Sequence, residues 1–341
     1  MTSCIRLLCF CAVACWATAC SLSSTSPPPS PATAAPADAG VTSLTDGLPA
    51  CAPDALSSVA ASAATSTPAA FVRLDDTERQ AYVDALRQLL RASTTDVQDA
   101  LTSFADHGVA PCVDDTVLLL PSPSPALPWV MLRLDEARPL QVHVPHPRHE
   151  RHTAAEGVAL FMQLQARAVL LSNRHRCDSD VPSGCDGSTG VCGPTAPYSE
   201  SDPAHVVDDV FHDVHMVLAD AFADDVVVSL HGMSSAGISL SNGTTASVVD
   251  DDALVARLAR AFDTRYTDVT VCNALPADDV PLVERLCGTT NAQGRHLNGS
   301  ADACTLPAST STGRFLHLEQ SLEVRDDVDG VIAAFDEVLP R

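Results

Sequence analysis

Basic groups are scarce in this sequence: 20 Lys and Arg stand against 43 Asp and Glu, a formal net charge of −23. Nucleic-acid binding draws its affinity from cationic contacts with phosphate, so this balance argues against a nucleic-acid partner. It equally disfavours adhesion of the folded part to an anionic lipid face, and solubility is its plain consequence. Long apolar runs are missing after the first twenty residues, so no later segment is long enough to cross a bilayer. No internal repeat is evident. The Asp runs at 208–209, 250–252 and 278–279 lack the regular ligand spacing of a calcium-binding loop and read as solvated helix starts. His212 and His215 have the spacing of a helix face, and no HExxH motif accompanies them.

What the chain does have begins at its first residues. A short start with one positive charge, Arg6, leads into the apolar run Leu7–Ala17 and then Ala17-Thr18-Ala19-Cys20. That run has the length of a signal-peptide core and is too short to span a membrane. The ending resembles the lipobox of bacterial lipoproteins, which predicts a signal peptide over 1–19 and lipidation of Cys20. Plain cleavage after Ala17-Thr18-Ala19, without lipid, is the alternative. Residues 20–50 are rich in Ser, Thr, Pro and Ala, a composition that buries no core and serves as a tether. The expected location is therefore outside the cytoplasm, anchored to a membrane through the N-terminal lipid, with the main domain at 51–341. Eight cysteines lie beyond the signal and anchor: Cys51, Cys112, Cys177, Cys185, Cys192, Cys272, Cys287 and Cys304. An even number in an exported chain predicts four disulfides. Local pairs within 177–192 and within 272–304, and Cys51 with Cys112, are expected. One cysteine of each three-residue group must then pair elsewhere.

Hydrophobic periodicity predicts a helical stretch from Leu74 to His107, its second part at Thr95–Ala105, and further helices at Ala154–Gln165, Val206–Phe222, Asp251–Arg265 and Asp326–Val338. Short apolar runs at Thr116–Leu120, Trp129–Leu134, Leu140–Val144, Ala168–Ser172, Val226–Leu230, Val269–Cys272 and Phe315–Leu318 read as strands. The alternation predicts an α/β fold with a mainly parallel or mixed sheet covered by helices. The Gly-, Ser-, Pro- and Cys-rich stretches Cys177–Ser201 and Cys287–Thr312 read as long loops stapled by disulfides.

Ligands of open α/β sheets bind beyond the carboxyl ends of the strands. At those ends stand Pro145-His146-Pro147-Arg148-His149-Glu150, Asn173-Arg174-His175-Arg176, His231-Gly232-Met233 and Glu319-Gln320-Ser321. Catalytic zinc takes three protein ligands from His and Asp/Glu and leaves a position for water. His146, Glu150 and His231 would supply such a set, with Glu319 as the proton-transferring base. Arg174 or Arg176 would clamp a substrate carboxylate. His149 and His152 are alternatives to His146, and Glu323 is the fallback for Glu319. In the Gly-punctuated segment 288–299, Arg295 and Asn291 are candidates for substrate recognition.

The order His, close-following Glu, strand-borne His and late Glu resembles the zinc carboxypeptidase-like superfamily. Within it the residues are most similar to the N-formylglutamate amidohydrolases and phage poly-γ-glutamate hydrolases. The similarity is carried by Val144-Pro145-His146-Pro147, Val228-Ser229-Leu230-His231-Gly232-Met233 and Phe315-Leu316-His317-Leu318-Glu319. The resemblance implies zinc and hydrolysis of an amide near a carboxylate, on an acylated amino acid, a γ-glutamyl chain or a cell-wall peptide. Exported zinc amidases of peptidoglycan share a similar order with the first Glu farther from the His, which keeps Glu156 as an alternative to Glu150. A non-catalytic lipoprotein that binds a peptide or wall fragment in the same pocket is the competing expectation.

Overall fold

Strand runs that are apolar at every position need cover on both faces, and they receive it. The computed structural model describes residues 47–65, 71–91, 94–247, 250–272, 282–283 and 286–340. The expected signal peptide, Cys20, most of the linker and the 278–279 Asp pair lie outside these residues. The helices are α1 (Ala55–Ala63), α2 (Asp76–Arg91), α3 (Thr94–Asp106), α4 (Thr153–Gln163), α5 (Val210–Ala221), α6 (Leu254–Asp263), α7 (Ala292–Leu297), α8 (Leu322–Asp326) and α9 (Val328–Val338). The strands are β1 (Cys112–Asp114), β2 (Val117–Leu120), β3 (Trp129–Arg133), β4 (Arg138–Val144), β5 (Ala166–Leu171), β6 (Ser188–Thr189), β7 (Ala196–Pro197), β8 (Val226–Gly232), β9 (Ile238–Ser241), β10 (Val269–Cys272), β11 (Leu282–Val283) and β12 (Phe315–Gln320).

Ten strands form one mixed sheet in the order β1-β2-β3-β5-β4-β8-β12-β9-β10-β11. Its centre, β5-β4-β8-β12, is parallel, and β9 joins β12 antiparallel. The fold is therefore α/β with a mixed sheet, as the alternation of elements predicts. Side-chain alternation divides the core. Leu140, Val142, Val144, Val228, Leu230, Leu316 and Leu318 pack with α4, α6 and α9 on one face. Leu118, Leu120, Val130, Leu132, Ala168 and Leu170 pack with α2, α3 and α5 on the other. On that second face the middle strands turn polar: Gln141 and His143 on β4, Ser229 and His231 on β8, His317 and Glu319 on β12. All six are buried.

The sheet's order also fixes where a cleft can open. From β4 the chain passes through α4 to β5 on one side, and β8 then lies on the other side of β4. Strand order thus reverses between β4 and β8, and crevices at the carboxyl ends of such switch points take ligands.

Several boundaries differ from the periodicity. Strands β8 and β12 each run two residues further, so His231 and Glu319 belong to the strands themselves. The helix expected from Val206 starts at Val210, where the Asp209 side chain accepts from the Phe211 N–H as its cap. The closing helix is broken by Asp327, which caps α9 by accepting from Gly330 N–H, and α8 precedes it. Strand β9 carries no expectation at all, because it is short and follows the Gly-containing segment 232–237.

Four disulfides hold the loops: Cys51–Cys112, Cys177–Cys192, Cys272–Cys287 and Cys185–Cys304. The first three are local or as paired above, and the two left-over cysteines join each other. Such a set fits an oxidising compartment. Among the described residues, no helix is long and apolar enough to cross a membrane.

Candidate metal centre

The loop after β4 closes into a single helical turn. The His146 carbonyl accepts from the N–H of Glu150 at 2.8 Å and from that of His149 at 3.0 Å. A four-residue spacing on one turn places two side chains on the same side. Glu150 Oε1 therefore lies 2.8 Å from His146 Nδ1. Strand β8 brings its final histidine to the same point, with His231 Nδ1 3.5 Å from Glu150 Oε2. One ligand atom from each of His146, Glu150 and His231 lies within 4.8 Å of the others, and all three side chains are buried.

Each member is held from behind. His146 Nε2 is 2.7 Å from Asp202 Oδ1, and His231 Nε2 is 2.9 Å from Ser229 Oγ. The Gly232 N–H donates to Glu150 Oε2 at 3.0 Å. These contacts occupy the far nitrogen of each ring and leave both Nδ1 atoms toward the centre, the arrangement that orients imidazole ligands. Arg176 donates from Nε (3.1 Å) and Nη2 (2.6 Å) to Asp202 Oδ2, and from Nη1 to Glu150 Oε1 at 3.2 Å. Its Nη1 also lies 3.3 Å from His146 Nδ1, so the guanidinium is committed to the two carboxylates and to that ring.

The electrostatics follow from burial and these partners. Against the pull of burial, His146 and His231 hold the Glu150 carboxyl well below its usual range. Asp202 is held low in the same way, burial being outweighed by Arg176 and His146. Burial and Arg176 push His146 down, but Glu150 and Asp202 outweigh them and raise it. The centre is a buried pair of carboxylates around an imidazole that attracts a proton, which is also what a divalent cation seeks there.

Glu319 faces the same space. It pairs with His231 across the β8–β12 ladder, and Glu319, His231 and His317 form an overlapping cluster of potential donors within 4.8 Å. Burial raises its carboxyl, opposed by His231 and helped by Glu150. A third donor cluster, His149, His175 and Cys177, has its sulfur engaged in the disulfide with Cys192. His146, Glu150, His231, Arg176 and Glu319 all line one open cleft of about 920 Å³, whose wall also includes Gly288, Thr289 and Thr290.

Other expected site residues lie elsewhere. Arg174 turns away from the cleft, donating to the Ser201 carbonyl and pairing with Asp209, because it alternates with Arg176 along the segment. Arg295 is buried and bonds Asp186 and the carbonyls of Thr289 and Cys304. Asn291 caps α7 by accepting from the Gly294 N–H at 2.8 Å. Both therefore brace the 288–290 wall rather than face the cleft. His152 pairs with Asp326 near the surface, and Glu323 is exposed. His212 and His215 lie buried against His143 and His296 beneath the sheet.

Glu156 is no competitor for Glu150. It lies buried on α4, accepting from Gln320 Nε2 at 2.7 Å, and burial pushes its carboxyl up to about 8. Below the ordinary value of 4.5, folded and unfolded chains both hold the proton. Above it the unfolded chain ionises first, so stability falls until the pH passes about 8. Glu156→Gln is accordingly expected to stabilise the chain, by more at pH 8 than at pH 4.5. Thermal melts of both proteins check this, and an equal gain at the two pH values would count against it.

No protein-family model matches the chain, and no curated protein matches it. Among solved structures it is similar to an aspartoacylase family protein from Mesorhizobium loti, at 10% identity and a TM-score of 0.34, over 67% of this chain and 70% of that one. It is also similar to candidate metallopeptidases from Shewanella amazonensis (13%, TM-score 0.31, 80% of this chain and 100% of that one) and Shewanella denitrificans (12%, 0.30, 72% and 92%). The chemistry of the centre rests on its own geometry, not on these likenesses.

Asp202, Ser229, His317 and Arg325 escaped sequence reasoning. For Ser229 and His317 a signal existed, since each stands two residues before a strand-borne site residue on the same face. Asp202 comes from an irregular segment with no period to place it.

Proposed function

We propose that this chain is a metal-dependent hydrolase of amide bonds, with zinc as the metal. The observation that carries the reading is the convergence of His146, Glu150 and His231 at the base of an open cleft beside Glu319. Two imidazoles and a carboxylate, each backed by an outer hydrogen bond, suit catalytic zinc, and the donor set is fully buried on its protein side. The order of these residues, which resembles the zinc carboxypeptidase-like superfamily, supports the same reading. Zinc bound there supplies a more acidic water and a polarised carbonyl. Glu319 then takes the proton of the attacking water and returns it to the leaving nitrogen. Asp202 and Ser229 keep the two rings in register, and Arg176 balances the charge of Glu150 and Asp202. The substrate class is an amide near a carboxylate: an N-acyl amino acid, a γ-glutamyl chain or a cell-wall peptide.

The test is metal content and hydrolysis in one preparation. One zinc per chain is expected, and a chelator should remove both the zinc and the hydrolysis of a panel of these three substrate types. A chain that takes up no zinc on dialysis against the metal sinks the reading. We also propose that the domain works outside the cytoplasm, tethered through Cys20; its four disulfides support this. The mature chain should begin at Cys20 with the mass of attached lipid, and an unmodified Cys20 would refute the anchor.

A further inference from the structure

Five histidines line the cleft: His146, His149, His205, His231 and His317. His146 and His231 belong to the metal centre. His149 meets His175 through its Nδ1, and His317 packs against His231 beside Glu319. His205 stands apart from these groups. It comes from the irregular segment between β7 and α5, and no step described above uses it.

Its ring is held from two sides. Nδ1 lies 2.9 Å from the Thr290 carbonyl oxygen. One face stacks on Tyr198, with centroids 3.6 Å apart and planes 6° from parallel. Tyr198 is fixed in turn: its hydroxyl is 3.1 Å from Thr290 Oγ1, and a Cβ built on Gly187 would sit 2.5 Å from its Cε2. The segments that carry these partners are stapled by Cys177–Cys192, Cys185–Cys304 and Cys272–Cys287. A side chain locked this way within a cleft is suited to a hydrogen bond of fixed direction.

The same contacts decide where the proton sits. A carbonyl oxygen only accepts, so Nδ1 carries the hydrogen and Nε2 keeps its lone pair. Burial, opposed by Asp202 and helped by Arg176, pushes the imidazole down to about 3, so no second proton joins it near neutral pH. Among the described residues nothing donates to Nε2, and the ring is partly exposed at the cleft. His205 is therefore a neutral acceptor in the cleft wall. Water can satisfy it in the free protein. A ligand that displaces this water without supplying a donor leaves a polar atom unpaired and loses affinity. The ordinary partner of an ammonium is a carboxylate, so an uncharged imidazole is matched instead by a neutral N–H.

We propose that His205 Nε2 accepts the N–H of a second, uncleaved amide of the substrate. The proposal rests on the hydrolase reading above, in which Glu319 serves the scissile nitrogen and His205 is left for a different N–H. It narrows the substrate class. A chain of amides, as in a γ-glutamyl chain or a cell-wall peptide, fits the cleft; an N-acyl amino acid with no further N–H does not.

The test uses a pair of zinc-binding probes. Benzoylglycine hydroxamic acid offers a hydroxamate for the metal and one further amide N–H. In 3-benzoylpropionohydroxamic acid a methylene replaces that N–H. Calorimetric titrations compare the two on the zinc-loaded chain, wild type, His205→Phe and His205→Gln, with zinc content measured on each sample. Wild type should prefer the N–H probe by about 5- to 100-fold, the range for leaving a polar group unpaired. His205→Phe keeps a ring to stack on Tyr198 but has no acceptor, and its preference should vanish. His205→Gln carries a carbonyl oxygen and should restore part of it. A His205→Phe chain that weakens both probes equally would show a merely structural role and overturn the proposal. So would a wild type that binds zinc but does not distinguish the probes. A wild type that binds no zinc refutes the hydrolase reading, and this proposal with it.

Discussion

Replacing His146 or His231 by Ala is expected to empty the centre of zinc and abolish hydrolysis. Each histidine would supply one of three ligand groups, and each variant keeps only Glu150 and the other histidine to hold the ion against its hydration. Losing merely an outer hydrogen bond to a ligand costs about 10- to 100-fold in affinity, so losing a ligand should cost at least the upper end of that range. The fold should survive His146→Ala, because Asp202 and Glu150 keep their bonds to Arg176 and neither carboxylate is left buried without a partner. His231→Ala removes the contacts to Ser229 and Glu150 and the ring contacts to His146 and His317, and the Gly232 N–H still donates to Glu150. Atomic emission on the dialysed proteins and far-ultraviolet circular dichroism check the two halves of the expectation. Stoichiometric zinc in both variants would rule out this ligand set.

The second large effect is expected at Glu319. Glu319→Gln preserves size and should leave zinc bound at the wild-type level, since Glu319 is outside the His146, Glu150 and His231 set. Its loss removes the group that moves the proton, and general-base catalysis is worth about 10²- to 10⁴-fold. The fall should appear in kcat with little change in KM, because the amide and its carboxylate are still held. Burial raises the Glu319 carboxyl, and His231 and Glu150 pull it in opposite directions, so the group is a better proton acceptor than an exposed glutamate. Steady-state rates on the best substrate of the panel decide it. A variant that hydrolyses as fast as the wild type would remove the base assignment, and loss of zinc would show that Glu319 is a ligand instead.

The fold was legible where physics is local. Val226–Leu230 and Phe315–Leu318 are apolar at almost every position because both faces of the central sheet are covered, and such runs can be recognised without knowing their neighbours. Periodicity likewise located α2, α4 and α5 to within a few residues. What it missed was short or irregular: β9 has four residues, and Asp202 stands in a loop between elements. Cysteine counting reached Cys51–Cys112 and the local pairs. It left Cys185 and Cys304 unassigned, because they meet across 119 residues and only the folded loops bring them together.

The amino-acid sequence by itself determined that a sheet would end in His146, Glu150, His231 and Glu319, because strand ends and turn residues are set by local pattern. Tertiary structure alone decided which polar groups serve that place. Arg174 and Arg176 alternate, and alternation says that they point apart but not which one meets the cleft. Packing against Asp209 took the first, and Asp202 and Glu150 took the second. Arg325 also lines the cleft, its guanidinium lying against Gly232, a meeting that only the fold brings about. Burial and charge are properties of the assembled fold, and they select among candidates that the sequence presents as equals.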